Sequence, residues 1–169
     1  IPGQQQINTS QINIGADWST AAILMVAALL SRGSLRLKGL DQSSAQGDRR
    51  IADIIRLFGG RLEALSGANL QVEASDLVSP GRIDVGQTPD LFPPLCALAA
   101  VAKGQTLIQG SVGLRHKECD RITAMAQGLR HAGIVCHERA DALLIEGGQP
   151  QAAQFAAHGD HRIHMSLCA

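Results

Sequence analysis

Two short clusters of charged residues define the chemistry that this chain could perform. The first is Lys117–Arg121, with the order Lys-Glu-Cys-Asp-Arg, and the second is Asp160–Arg162, with the order Asp-His-Arg. Each places cations beside carboxylates within one or two helical turns, in a chain in which only 18% of the residues are charged. Carboxylates can transfer protons, and guanidinium groups can bind phosphate or carboxylate through paired hydrogen bonds. The sequence therefore predicts a site that holds an anion and moves a proton.

The first cluster is predicted to lie at the start of a helix. In a helix Lys117, Glu118 and Arg121 would share one face, because they are three and four positions apart. The alternative is a solvated helix start with a weak ion pair, which is the commoner outcome for such clusters. Two features favour a binding site. An apolar, glycine-containing segment, residues 110–114, precedes the cluster, and cations at a helix N-terminus are unfavourable unless an anion binds there.

The second cluster is predicted to start the last helix. Asp160 would be its N-cap, with His161 and Arg162 in the first turn, where an arginine again opposes the helix dipole unless an anion is present. A metal site is the alternative, because His158, His161 and His164 recur at every third position. Zinc needs four ligands in a closed geometry, and no cysteine lies at a suitable spacing. No metal is therefore predicted.

Asp90 is the third candidate. It follows Pro89 and precedes an apolar helix that begins near Pro93, where proline is well tolerated. Taken alone it is a turn or cap residue, but its place in the second repeat puts it near the first cluster and makes it a candidate base. The equivalent segment of the first repeat, residues 46–49, contains Asp48, for which we predict a structural role as a helix cap.

The elements that must position these residues recur along the chain. A helix, a strand, a loop, a helix and two strands are predicted twice, roughly 70 residues apart. The units span about residues 17–74 and 90–146, and a third, truncated unit follows. Helices are predicted at 18–31, from 48, at 93–102 and around 122–132, and strands at 6–14, 34–38, 61–65, 70–74, 105–109, 134–138 and 142–146.

Composition narrows the classes of function. The formal net charge is zero and tyrosine is absent, so neither a nucleic-acid nor a membrane partner is predicted. The apolar run at residues 21–30 is too short to span a membrane. Four cysteines without paired spacing favour a reduced, cytoplasmic protein. Because the chain starts without methionine and stops inside a predicted helix, we expect a fragment.

These signatures occur in the order seen in one enzyme family. The chain resembles the later part of the 5-enolpyruvylshikimate-3-phosphate synthases, also called 3-phosphoshikimate 1-carboxyvinyltransferases. The Arg-x-Lys-Glu-x-Asp-Arg run followed by Asp-His-Arg is specific, and it distinguishes this family from the related enolpyruvyl transferase of cell-wall synthesis. The matching segments are Gly15-Ala16-Asp17-Trp18-Ser19, Gln46-Gly47-Asp48, Pro89-Asp90, Arg115 to Arg121 and Asp160-His161-Arg162.

The resemblance implies an α/β fold of repeated βαβαββ units, an inside-out α/β barrel-like domain of the enolpyruvyl transferase type. Residues 1–169 would be a single partial domain of a two-domain enzyme, with the substrates bound between the domains. The implied reaction transfers the enolpyruvyl group of phosphoenolpyruvate to the 5-hydroxyl of shikimate 3-phosphate, a step of the shikimate pathway to aromatic amino acids. It requires no metal or organic cofactor.

The resemblance also implies roles for single residues. Asp90 matches the carboxylate that meets the target hydroxyl, and Glu118 matches the acid/base that handles the proton at the methylene carbon. Lys117 matches a contact to the shikimate substrate. The sequence departs from the family at Gly113, where asparagine is usual.

The remaining roles concern phosphoenolpyruvate. Arg121 and Arg162 match the arginines that hold this substrate, and His161 would lie beside them. The first domain, which grips the shikimate phosphate, is almost wholly absent, so the chain alone is expected to be inactive. A missing neighbour can leave apolar surface bare, so self-association of the fragment is a further expectation. The alternatives are a related enolpyruvyl transferase or phosphate cyclase, and a non-catalytic repeat domain.

Overall fold

A computed structural model describes Gly3, Gln11 and residues 14–169. The strand predicted for residues 6–14 lies outside these residues except at Gln11 and Ile14, which belong to no strand. In the described part of the chain, no helix is long and apolar enough to cross a membrane.

The first half of the chain forms two helices and a three-stranded sheet. The strand order is β1-β3-β2, and β3 pairs with both neighbours in antiparallel fashion. In the register, Leu35 and Leu62 both lie opposite Val72, which is buried. The elements are α1 (Trp18–Leu30), β1 (Ser34–Leu37), α2 (Ile51–Leu57), β2 (Arg61–Leu65) and β3 (Asn69–Glu73).

The second half forms a four-stranded sheet with the strand order β4-β5-β7-β6. β4 is parallel to β5, whereas β7 is antiparallel to both β5 and β6. The elements are β4 (Arg82–Asp84), α3 (Phe92–Val101), β5 (Gln105–Gln109), α4 (Arg121–His131), β6 (Cys136–Glu138) and β7 (Ala142–Glu146). A last helix, α5 (His161–Cys168), follows.

Strand β4 was not predicted from the sequence. It has three residues, and only its middle residue, Ile83, is buried. Its outer residues are charged, so the period-2 signal is too short to identify. Its parallel pairing with β5 completes the order βαβαββ in the second half.

The helices form the centre of the molecule and the sheets lie outside. α1 packs against α3, and α3 also packs against α4 and α5. Residues 92–100 of α3 are all buried, which requires a helix that is apolar on every side. Strands β1 and β2, in contrast, contain only exposed and half-buried residues. This is the inside-out α/β architecture implied by the resemblance.

Aspartates cap three of the helices. The Asp17 carboxylate accepts hydrogen bonds from the first-turn N–H groups of α1, and Asp120 and Asp160 do the same for α4 and α5. The prediction that Asp48 caps α2 is wrong. Asp48 lies within a 3₁₀ turn, Gly47–Arg50, that precedes α2, and no side chain caps that helix. Instead, the backbone N–H of Ile51, the first residue of α2, donates to the Asp48 carbonyl within this turn.

Candidate active site

The centre of the site is the side chain of Arg121, the first residue of α4. Arg121 has no exposed surface, and its guanidinium group donates to three carboxylates. Nε donates to Asp160 Oδ2 at 2.8 Å, Nη1 to Asp90 Oδ1 at 2.7 Å and Nη2 to Glu118 Oε2 at 2.8 Å. A buried guanidinium group is costly unless its charge and its donors are matched, and here all three nitrogens have an anionic partner.

Three helix starts bring these groups together. Asp90 lies in the 3₁₀ turn Pro89–Leu91 that leads into α3, Arg121 begins α4, and Asp160 caps α5. Arg162, in the first turn of α5, contacts Asp90 as well, with Nη2 3.1 Å from Oδ2. The structure thus places Asp90, Glu118, Arg121 and Arg162 in one connected cluster.

Of the first charged cluster only Arg121 lies in a helix, whereas the sequence analysis predicted that Lys117 and Glu118 would share that helix. Residues 117–120 belong to no helix or strand, and α4 begins only at Arg121. The reason is that Asp120 adopts an extended conformation and caps α4, which excludes the preceding residues from it. Glu118 still reaches Arg121 from the loop. Lys117 is exposed and has no hydrogen bond or ion pair with the described part of the chain.

We expected the cations at these helix starts to need a bound anion. The carboxylates of the protein itself supply the negative charge to Arg121 and Arg162. The carboxylates of Asp90, Glu118 and Asp160 thus share two guanidinium groups. The cluster is therefore slightly acidic, and an incoming anion requires further cations or the displacement of a carboxylate.

The buried carboxylate of Asp160 is held in its ionised form. Burial alone would raise its pKa, but the bonds from Arg121 and from the backbone N–H of Arg162 outweigh burial, and the pKa lies below its usual value. The Cys119 thiol lies beside it, with Sγ 3.8 Å from Asp160 Oδ2. Burial and the Asp160 charge raise the pKa of Cys119 to about 11, so this thiol stays protonated.

The 3₁₀ turn Gly47–Arg50 borders the same site. Partial burial and the nearby charge of Asp90 raise the pKa of Asp48, although a hydrogen bond from Ser19 opposes this shift. Gln46 fixes the segment, because its Oε1 accepts from the Trp18 N–H at 2.9 Å and its Nε2 donates to the Ala16 carbonyl at 3.0 Å. From the sequence, Asp48 was predicted to have only a structural role. Its place in a segment that matches the family was the one signal that it could belong to the site.

The histidines of the second cluster are at the surface. His158, His161 and His164 are all exposed. Over the described residues, no three His, Cys, Asp or Glu side chains are grouped so that they could hold a metal ion. His161 lies next to Arg162 at the start of α5, but its ring makes no recorded hydrogen bond to the described part of the chain.

The fold is that of the enolpyruvyl transferases. The crystal structure of EPSP synthase from Acinetobacter baumannii superimposes with a TM-score of 0.77 and 29% sequence identity, covering 91% of this chain and 39% of that one. The enolpyruvyl transferase NikO from Streptomyces tendae, at 18% identity and a TM-score of 0.54 over 77% of this chain, shares the fold.

Sequence comparison gives the family. The model of the EPSP synthase family (3-phosphoshikimate 1-carboxyvinyltransferase) matches residues 1–169, so the chain belongs to that family. The 3-phosphoshikimate 1-carboxyvinyltransferases of Methanothrix thermoacetophila and Pyrococcus furiosus are 41% and 38% identical over 98% and 95% of this chain. The chain spans about 39% of the length of each of these relatives.

Proposed function

We propose that this chain forms one wall of the active site of a 3-phosphoshikimate 1-carboxyvinyltransferase. The longer enzyme would transfer the enolpyruvyl group of phosphoenolpyruvate to the 5-hydroxyl of shikimate 3-phosphate, in the cytoplasmic pathway to aromatic amino acids. The supporting observation is the cluster of Asp90, Glu118, Arg121 and Arg162 at three helix starts, in a chain that the family model matches throughout.

The two outer carboxylates would perform the acid–base steps. Asp90 would take the proton of the 5-hydroxyl while the hydroxyl oxygen bonds to the central carbon of phosphoenolpyruvate. Glu118 would deliver a proton to the methylene carbon and recover it when phosphate leaves. Asp90 contacts both Arg121 and Arg162, whereas Glu118 has a side chain that is 49% exposed and so is open to substrate.

The cations would bind the substrates. Lys117, which is exposed and unpaired in the described part of the chain, would contact shikimate 3-phosphate. Arg162, His161 and Arg121 would face phosphoenolpyruvate. Because Arg121 already has three carboxylate partners, a substrate carboxylate can reach it only by replacing one of them. The Glu118 side chain is the partner that would rotate away from Arg121, because it is the most exposed of the three carboxylates.

The remainder of the cleft would come from the rest of the enzyme. We propose that residues 1–169 are a partial domain with repeat units at about 17–74 and 90–146 and a truncated third unit. Two anionic substrates need more positive charge than a cluster with a carboxylate excess supplies, so the other half must provide it. The chain alone would then be inactive, and its uncovered apolar surface would favour self-association.

The test uses the complete protein that contains this chain. With both substrates it should release phosphate, and Glu118→Gln should lower kcat about 10²–10⁴-fold, the usual contribution of a general acid or base. Arg49→Gln, an exposed arginine of the first repeat, is the matched control and should leave kcat unchanged.

Two results would contradict the proposal. One is a complete protein that does not bind shikimate 3-phosphate in calorimetry, which would favour a different enolpyruvyl transferase or a non-catalytic domain. The other is phosphate release by the 169-residue chain alone at the rate of a normal enzyme, which would show that the partner half is not needed.

A further inference from the structure

The loop that contains Lys117 and Glu118 must be held in place by contacts outside the loop. Residues 117–120 belong to no helix or strand, yet Glu118 is placed 2.8 Å from Arg121. A 3₁₀ turn, Val112–His116, precedes the loop and α4 follows it. Glu118 itself is nearly half exposed, so packing around its own side chain cannot be what holds the loop.

Arg115 supplies the missing restraint. Its Nε donates to the Ala140 carbonyl at 2.9 Å, and its Nη2 donates to the Arg139 carbonyl at 2.7 Å. Its Nη1 donates to Asp120 Oδ2 at 2.7 Å and to Thr123 Oγ1 at 3.2 Å. One planar guanidinium group thus joins the turn between β6 and β7 to the N-cap of α4, which a lysine could not reproduce.

The bond between Arg115 and Asp120 closes a ring around the loop. Arg115 lies two residues before Lys117, and Asp120 is the last residue before α4, so the segment between them is fixed at both ends. The turn that receives Arg115 is itself anchored. The Asp141 carbonyl accepts from the Gly110 N–H at 2.8 Å, and its carboxylate accepts from Gln109 Nε2 at 3.1 Å.

We propose that Arg115 is a positioning residue for Glu118. Arg115 has no hydrogen bond or ion pair with Glu118, Arg121 or Arg162, so it would act only by fixing the loop between itself and Asp120. This inference rests on the proposed function, because the value of a fixed Glu118 lies in proton transfer to a bound substrate. Misplacement of an acid by about 1 Å is enough to lower a rate about 10²-fold.

Arg130 provides a matched control. Like Arg115 it ties α4 to the β6–β7 hairpin, with Nη1 3.0 Å from Glu138 Oε1 and Nη2 3.2 Å from the Cys136 carbonyl. It does not bridge the loop. Arg130→Ala therefore removes a comparable arginine from the same hairpin and leaves the bond between Arg115 and Asp120 intact.

The first experiment does not depend on activity. Backbone order parameters of residues 117–119 are measured by NMR relaxation in the complete protein as wild type, Arg115→Ala and Arg130→Ala. Arg115→Ala should lower them from about 0.85 to below about 0.6, and Arg130→Ala should leave them near the wild-type values. Equal effects of the two variants would overturn the proposal. If Arg115→Ala does not fold, Arg115→Lys is used, and its loop should have lower order parameters than that of the wild type.

The second experiment measures catalysis. Arg115→Ala should lower kcat about 10- to 100-fold with little change in KM for phosphoenolpyruvate, and Arg115→Lys should recover part of the loss. In a Glu118→Gln background, Arg115→Ala should cause almost no further loss, because both changes remove the same function. An undiminished loss in that background would overturn the proposal. A wild-type protein without enolpyruvyl transfer would refute the proposed function, whereas the order parameters of the loop would still test the restraint.

Discussion

Each half of the chain has an Asp-Arg pair where its second helix begins, and the two halves use this pair differently. Asp120 caps α4, and Arg121 after it is buried among three carboxylates. Asp48 lies inside a 3₁₀ turn, and Arg49 after it is exposed, with no ion pair to the described part of the chain. The dipeptide alone therefore does not make a site. What differs is the set of neighbours that surround it.

The neighbours explain the contrast in physical terms. Around Arg121, the starts of α3 and α5 supply Asp90 and Asp160. Around the first pair, the start of α1 packs against the 3₁₀ turn, but its Asp17 carboxylate is occupied by the N–H and hydroxyl groups of Ser19 and Thr20. A buried guanidinium group is retained only where carboxylates converge on it.

The largest difference in stability is expected between loss of the buried Arg121 and loss of the exposed Arg49. Arg121→Met would leave Asp160 buried and unpaired, and we expect it to lower the free energy of unfolding by about 3–5 kcal/mol. Arg49→Met removes an exposed side chain and should change it by less than about 0.5 kcal/mol. Urea unfolding of the complete protein, followed by circular dichroism, measures both. Similar losses in the two variants would show that burial of Arg121 does not distinguish the halves.

Neutralising one carboxylate in each half should have opposite effects. Asp160→Asn loses a charged partner of Arg121 and should destabilise by about 1.5–3 kcal/mol at pH 7. Asp48→Asn should stabilise, because the folded state holds Asp48 near Asp90, with a raised pKa. Because of that shift, ionisation of Asp48 destabilises the fold once the pH exceeds the pKa that Asp48 has in the unfolded chain.

The control for this pair is Asp53→Asn. Asp53 has a side chain that is 70% exposed and pairs only with Arg56 on the surface, so its loss should be nearly neutral. Raising the pH from 4 towards 7 should reduce the wild-type stability relative to Asp48→Asn. A destabilised Asp48→Asn protein at pH 7 would mean that this carboxylate is needed by the fold.

Local signals in the sequence were sufficient for much of this fold. The cap Asp160 and the apolar helices α1 and α3 were predicted, because each depends on residues within a few positions. Two predictions failed for local reasons. Asp48 lies in a 3₁₀ turn and does not cap α2. Asp120 caps α4, so that helix begins at Arg121 and not near Lys117 as predicted.

The partners of Arg121 could not be predicted from local signals. Asp90 and Asp160 lie 31 and 39 positions from it in the chain, and no periodicity relates them. The family resemblance implied that the arginine holds a substrate, whereas the structure shows its guanidinium group engaged by the protein. Only the packing of α3, α4 and α5 determines that these helix starts meet.

A smaller effect is expected from the pH dependence of the α1 cap. The hydrogen bond from the Thr20 hydroxyl is the main cause that lowers the pKa of Asp17 to about 2. A depressed pKa stabilises the fold above about pH 4 and that contribution is lost as the pH falls towards 2. Asp17→Asn keeps a capping side chain but should show a shallower loss of stability between pH 4 and pH 2. An unchanged slope would show that this cap does not contribute to acid unfolding.

The smallest effect is expected at Cys119, which tests whether the arginine or the thiol keeps Asp160 ionised. The S–H group is a weak donor, and it is 3.8 Å from a carboxylate that Arg121 contacts at 2.8 Å. Cys119→Ser should therefore change the free energy of unfolding by less than about 0.5 kcal/mol. In the wild type, alkylation of this thiol should rise with pH up to its pKa of about 11, since only the thiolate reacts. A loss comparable to that of Asp160→Asn would mean that the thiol, and not the guanidinium group alone, holds the buried carboxylate.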